Sequence, residues 1–388
     1  MFASVVCVRP GRSFWLRNRT GPSVSVYLDH NATSPVRPVA RDAAMEAIAR
    51  GGNPSSVHRD GRRARALLDD AREAVAGLVG ARPRQIVFTS GGTEANNLAL
   101  RGCGRARLLV SAVEHPSVLQ VRDDGVTIPV DADGCLDLVA LERLLAETDE
   151  PALVSVMAAN NETGVIQPIA EVIELAHRHG ALVHSDAVQA AGKITGAWAE
   201  ADLVTLSAHK FGGLQGAGAL VVGNGGAITA QARGGGQELG YRAGTEALPA
   251  IAAFGAAARE VGGDDVEQLG LWRDTLEDSM KLAVPGAEVL GGKAGRLPNT
   301  LALAHPAIDA ETMVMSFDLQ GISISAGSAC SSGKMAASHV AQAMGRSDLA
   351  RRAVRLSLGW STTRADCERA AEVWSIVHAR HANTSHAA

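Results

Sequence analysis

Two short apolar runs constrain this chain more than anything else in it. Ala181-Leu182-Val183-His184-Ser185-Asp186 ends on a carboxylate, and Leu203-Val204-Thr205-Leu206-Ser207-Ala208-His209-Lys210 ends on an amine. Runs of this length, apolar through their middle, read as strands buried in a sheet. Paired in parallel, they put Asp186 and Lys210 at one carboxyl edge, where open α/β sheets bind their ligands.

The lysine is distinctive by composition. Lys and Arg together number 37, and five of these are Lys: Lys193, Lys210, Lys281, Lys293 and Lys334. Arginine carries plain positive charge nearly everywhere, whereas only an amine can form an imine with a carbonyl. A buried acid beside such a lysine suits pyridoxal phosphate, which needs an amine for its aldehyde and an acid for its ring nitrogen.

The rest of the chain alternates helical and strand patterns. Leu67, Leu68, Ala71, Val75 and Leu78 mark a helix before the strand Gln85–Phe88, and a helix follows from Glu94. Strands are expected at 108–110, 127–130, 153–157 and 218–222, with helices at 138–146, 169–179, 247–261 and 266–282. This order predicts an α/β fold with a mostly parallel, helix-covered sheet. The expected organisation is a leader at 1–26, a large domain at 27–263, a smaller α+β domain at 264–380 and a loose tail at 381–388. The first residues of the large domain are able to pack on the smaller one.

Composition removes several function classes. A net charge of −4 gives no bulk attraction to nucleic acid. No apolar run approaches the roughly 20 residues of a membrane helix. The five cysteines are scattered without metal-type spacing, which favours a reduced intracellular setting over disulfides. Arg9, Arg12, Arg17 and Arg19 precede any acid, as in a transit peptide. Pro10, Gly11, Gly21 and Pro22 break an amphipathic helix there, so a disordered leader is the preferred reading.

Other segments carry chemistry. Ser90-Gly91-Gly92-Thr93-Glu94 lies between a strand and a helix, where converging amides and the helix dipole can hold an anion. Taken alone it is also a tight turn, and it is neither a Walker loop nor G-x-G-x-x-G. His115 follows another strand and could stack on a planar ring or move a proton; a loop histidine is the plainer alternative. Asn160-Asn161-Glu162 offers amides to a carboxylate or phenolic oxygen, or forms an Asx turn. Gln189 lies three residues past Asp186. Arg355, in an apolar strand, suits either bidentate capture of a carboxylate or an ion pair between domains. His177 and His179 close a helix, which its dipole explains without a metal. Cys330 sits among small residues, from Ser325 to Gly333, the placement of a reactive thiol rather than a packed one.

In order, these segments resemble the cysteine desulfurases, NifS/IscS-like members of the class V aminotransferase group of fold-type I pyridoxal-phosphate enzymes. The resemblance runs from Tyr27 to the end of the chain. It rests on Tyr27-Leu28-Asp29-His30-Asn31-Ala32-Thr33, Gly52-Asn53-Pro54-Ser55, Phe88–Glu94, Glu114-His115, Asn160-Asn161-Glu162, Asp186-Ala187-Val188-Gln189, His209-Lys210, Arg242-Ala243-Gly244-Thr245, Gly327-Ser328-Ala329-Cys330 and Arg355-Leu356-Ser357. The Gly-Ser-Ala-Cys segment is similar to that of the group I branch. Ser34 replaces a frequent Thr, the region 102–109 is shorter than usual, and 331–338 departs from the common sequence, which bears on the sulfur acceptor.

The resemblance implies a large domain built on a seven-stranded, mostly parallel sheet. It implies that Lys210 holds pyridoxal phosphate as an imine, with Asp186 on the ring nitrogen and His115 stacked on the ring and helping with protons. Gln189 and Asn161 would contact the phenolic oxygen, Asn161 also the substrate carboxylate. The cup at Gly92 and Thr93, with Ser207 and His209, would hold the phosphate. Thr245 would reach the phosphate of a second subunit, hence a homodimer. Arg355 would bind the carboxylate of L-cysteine, and Cys330 would take its sulfur as a persulfide, leaving L-alanine. The sulfur then passes to an acceptor protein, such as an iron–sulfur scaffold or a thiolation system, in the cytoplasm, with no metal. The alternatives are an aminotransferase or selenocysteine lyase with Cys330 as bystander, or a non-catalytic sulfur-handling scaffold. The intact Lys210, Asp186 and His115 argue against the scaffold.

Overall fold

A computed structural model describes residues 25–223, 226–327 and 337–386. Its strands, in chain order, are β1 (Val26–Tyr27), β2 (Ile86–Thr89), β3 (Arg107–Ser111), β4 (Val126–Ile128), β5 (Ala152–Ser155), β6 (Leu182–Asp186), β7 (Leu203–Ser207), β8 (Gly218–Val222), β9 (Glu288–Val289), β10 (Thr300–Ala304), β11 (Ile322–Ser323), β12 (Ser325–Ala326) and β13 (Ala353–Ser357). The central sheet has seven strands in the order β2-β8-β7-β6-β5-β3-β4. Neighbours from β7 to β4 pair in parallel, while β8 runs antiparallel to both β7 and β2. The mostly parallel α/β sheet expected from sequence is therefore present. The reversal at β8 was not legible, because Gly218–Val222 is apolar in either direction.

The strands read as apolar because helices cover both faces. Helix Arg59–Leu78 buries Ala64, Leu68, Ala71 and Val75, spaced by three or four residues, so one stripe faces inward. It crosses helix Leu248–Glu260 closely. A Cβ at Gly255 would lie 2.6 Å from Ala71 Cα, so only glycine allows this approach. Phe88 and Phe254 meet edge to face at 6.1 Å between ring centres, closing the core beneath the sheet.

A second core surrounds the antiparallel sheet β12-β13-β10-β9. Val26 and Leu28 belong to it, with Phe317 and Trp374. β1 pairs in parallel with β11, Val26 opposite Ile322, so Val26 is a paired strand residue and not part of a leader. Residues 1–24 lie outside the described residues. The expected tail also needs correction, since the last helix spans Arg364–His386. His378 and His381 contact the ring of His305, which extends the packed face past the point where the sequence turns polar. Among the described residues no helix is long and apolar enough to cross a membrane.

Candidate active site

Neighbouring strands β6 and β7 carry Asp186 and Ser207 at their carboxyl ends, with Asp186 opposite Thr205 in the register. A short 3-10 turn, Ala208–Lys210, then swings the lysine over the edge. Lys210 Nζ donates to the backbone oxygens of Asn31 at 2.8 Å and Ala32 at 2.9 Å. Burial, with a further contribution from the positive charge of Arg355, brings its pKa down to about 8. Asp186 is buried, and Oδ2 accepts from Asn96 Nδ2 at 2.8 Å while Oδ1 accepts from the Val188 amide at 3.0 Å.

The anion cup forms where β2 gives way to helix Gly92–Gly102. The first amides of a helix have no carbonyl within the helix to donate to, so they remain available to a ligand. Glu94 closes the turn by accepting from the Ser90 amide at 2.8 Å, and Arg242 Nε braces it at 2.9 Å. A Cβ on Gly92 would stand 3.0 Å from Val188 Cγ2 and 3.6 Å from Ser207 Cβ, filling the space beside β7.

His115 Nδ1 accepts from the Ser117 amide at 3.1 Å and also bonds Ser117 Oγ at 2.8 Å, which places the ring proton on Nε2. Burial is the main cause of its lowered pKa, so the imidazole is neutral. His209 Nδ1 bonds Thr33 Oγ1 at 3.1 Å, and burial together with Lys210 brings it to about 4. Arg355 Nη2 donates to Asp29 Oδ1 at 2.7 Å and Nη1 to the Asn161 carbonyl at 2.9 Å. Arg355 is thus held in an ion pair with Asp29, and it also lines the cavity.

One cavity of about 460 Å³ gathers these groups. Gly92, Thr93, His115, Asn161, Asp186, Gln189, Ser207, His209, Lys210 and Arg355 all line it. Thr245 does not line it and is exposed on the loop before helix Leu248–Glu260. Cys330 lies outside the described residues, while Gly327, three residues before it, lines the cavity.

Sequence reading assigned no role to Asn31, Asn96 or Lys193. Asn31 offers its carbonyl to Lys210 and its side-chain amide to Thr300 Oγ1 at 2.8 Å. Asn96 lies one helical turn past Gly92, and that spacing was the available signal that it faces the same site. Lys193 is half-buried and bonded to Gln189, which only the folded backbone reveals.

The family model for aminotransferase class-V matches residues 26–370. A cysteine desulfurase of Cereibacter sphaeroides is 45% identical over 366 residues, covering 90% of this chain and 94% of the relative. Among solved structures, a NifS-like protein from Rickettsia africae superposes with a TM-score of 0.84 at 34% identity, covering 91% of this chain and 99% of that one. A structure described as SspA in complex with cysteine gives a TM-score of 0.75 at 28% identity, covering 87% of this chain and 100% of that one. Matched across nearly all of both core regions, the chain belongs to the class-V aminotransferase family, on its NifS/IscS-like cysteine desulfurase branch.

Proposed function

We propose that this chain is a pyridoxal-phosphate-dependent cysteine desulfurase that converts L-cysteine to L-alanine and takes the sulfur onto Cys330 as a persulfide. The observation that carries the reading is the placement of the half-buried Lys210 amine, just past the end of β7, and the buried Asp186 carboxylate, at the end of the adjacent parallel strand, in one cavity with Arg355.

The donor set fits the cofactor. A carboxylate held by two N–H donors suits a ring nitrogen that must stay protonated. A helix N-terminus, kept open by the missing side chain of Gly92 and flanked by Thr93, Ser207 and His209, suits a phosphate. Bound at Lys210, pyridoxal phosphate supplies the electron sink for negative charge developing at the substrate Cα.

The protein groups then divide the work. Arg355, steered by Asp29, binds the substrate carboxylate, and Asn161 faces the same end. Lys210 Nζ, in the same cavity, would be the base that takes the Cα proton. Its lowered basicity leaves a useful neutral fraction at mildly alkaline pH. His115, with Nδ1 committed to Ser117, exchanges protons through Nε2. The Cys330 thiolate attacks the substrate sulfur: an S–S bond forms, the Cβ–S bond breaks, and its electron pair stays on carbon. Reprotonation of that carbon yields alanine.

Homodimerisation through Thr245, a cytoplasmic setting and delivery to an iron–sulfur scaffold or thiolation system complete the proposal. The cysteine bound to one solved relative supports the substrate. The test compares wild type and Cys330→Ala with L-cysteine, measuring alanine and sulfide. Both products are expected to disappear in the variant. Sulfur release that survives it removes Cys330 from the mechanism and leaves an aminotransferase or lyase.

A further inference from the structure

Behind Lys210 lies a second half-buried lysine. Lys193 Nζ donates to Gln189 Oε1 at 2.9 Å and to the Gln189 backbone oxygen at 3.1 Å. On the other side of the same amide, Gln189 Nε2 donates to the Asn31 carbonyl at 3.0 Å. That carbonyl also accepts from Lys210 Nζ at 2.8 Å. The two lysines are therefore joined by one side-chain amide and one backbone oxygen.

The chain of bonds has a polarity. Protonated Lys193 has no lone pair with which to accept, so the atom of Gln189 that faces it is oxygen. Its NH₂ then points the other way, with one hydrogen spent on Asn31 and the second left for the cavity that Gln189 lines. Without Lys193 the amide is free to turn over and present an acceptor there instead. We propose that Lys193 is a positioning residue that holds Gln189 as a hydrogen-bond donor toward the cavity, and so sets the charge state of the group carried by Lys210.

The surroundings support this. Lys193 shares a chamber of about 30 Å³ with His30, Arg37, Lys210 and Asp264. Burial, then the charges of Lys210 and Arg355, bring its pKa down to about 7, the cost of keeping an amine where one amide is its hydrogen-bond partner.

The inference rests on Lys210 carrying pyridoxal phosphate. The test is a spectrophotometric pH titration of the cofactor's visible band in reconstituted protein without substrate. In Lys193→Met the midpoint should rise by about one pH unit, since a donor and a nearby positive charge are both lost. Gln189→Glu keeps the acceptor for Lys193 but removes the donor, so it should shift the same way and serves if Lys193→Met does not fold. In a Gln189→Ala background, Lys193→Met should add only the part that its charge contributes, less than it does with Gln189 present. An unshifted midpoint in both single variants overturns the inference, and so does a full additional shift in the double variant. A wild type with no visible band refutes the cofactor reading itself.

Discussion

Arg355 and Asp29 form a 2.7 Å ion pair between β13 and the segment after β1, while Arg355 Nε is buried and has no partner among the described residues. Asp29 and the Asn161 carbonyl thus fix the fork, and Nε–H is among the donors they leave unspent. A substrate carboxylate is the acceptor such a guanidinium suits. Arg355→Ala should raise KM for L-cysteine by about 30-fold or more, in line with a lost charge-assisted bond. Steady-state kinetics over a wide cysteine range decide it, and an unchanged KM removes Arg355 from substrate binding.

The Lys210 amine must be neutral to condense with the cofactor. Because burial has lowered its pKa to about 8, the rate of cofactor uptake by the stripped protein should climb between pH 7 and 9 and then level off. Stopped-flow absorbance at a series of pH values gives the midpoint. A rate still rising at pH 10.5 means that the amine is an ordinary exposed one.

Asn96 donates to the carboxylate of Asp186 from the helix that also supplies the cup. Asn96→Ala should weaken cofactor binding about 5- to 30-fold through the lost bond. Asn96→Asp should do worse, since it sets a second negative charge against Asp186. Equilibrium dialysis of cofactor against the variants measures both, and equal affinity in all three proteins refutes the role.

Gly92→Ala places a methyl 3.0 Å from Val188 and beside Ser207. The expected result is weaker binding of pyridoxal phosphate with less effect on free pyridoxal, because the methyl intrudes on the phosphate end. Comparing the two ligands isolates the cup. An equal loss for both contradicts that assignment.

Two histidines make stability pH-dependent. His30 and His184 are buried, and burial takes them down to about 3 and about 4 from an ordinary 6.5. Above pH 6.5 neither folded nor unfolded chain protonates them, and their contribution is whole. As pH falls from 6.5 toward 4, only the unfolded chain takes up protons, so stability is lost. Each group contributes on the order of 1.4 kcal/mol per pH unit across that window. Urea midpoints measured from pH 7 to 4.5 test the slope, which His184→Gln should reduce.

The sequence displayed the sheet through its apolar runs, and it displayed the Asp186–Lys210 pair because each run ends on its charged residue. It singled out the Ser90–Glu94 turn and Arg355 by residue type, leaving both open to plainer readings, and it could not show that one cavity holds both. What it concealed was relational. Asn31 acts largely through its backbone oxygen, which any residue would supply. Lys193 looks like a surface charge after Gly192 until Gln189 is seen above it. The helical end of the chain was hidden because His305, dozens of residues earlier, supplies the contacts that Asn383 and its neighbours cannot announce.

Gly218 stands between Thr89 and Ser207 in a single row across the sheet. A Cβ on it would come within 2.6 Å of the Gly91 backbone. The absence of a side chain at that one position lets the turn at Gly91 and Gly92 bend across an intervening strand and rest on the next. Two strands that share no hydrogen bond thereby bring the Gly92 turn and Ser207 side by side in the lining of one cavity.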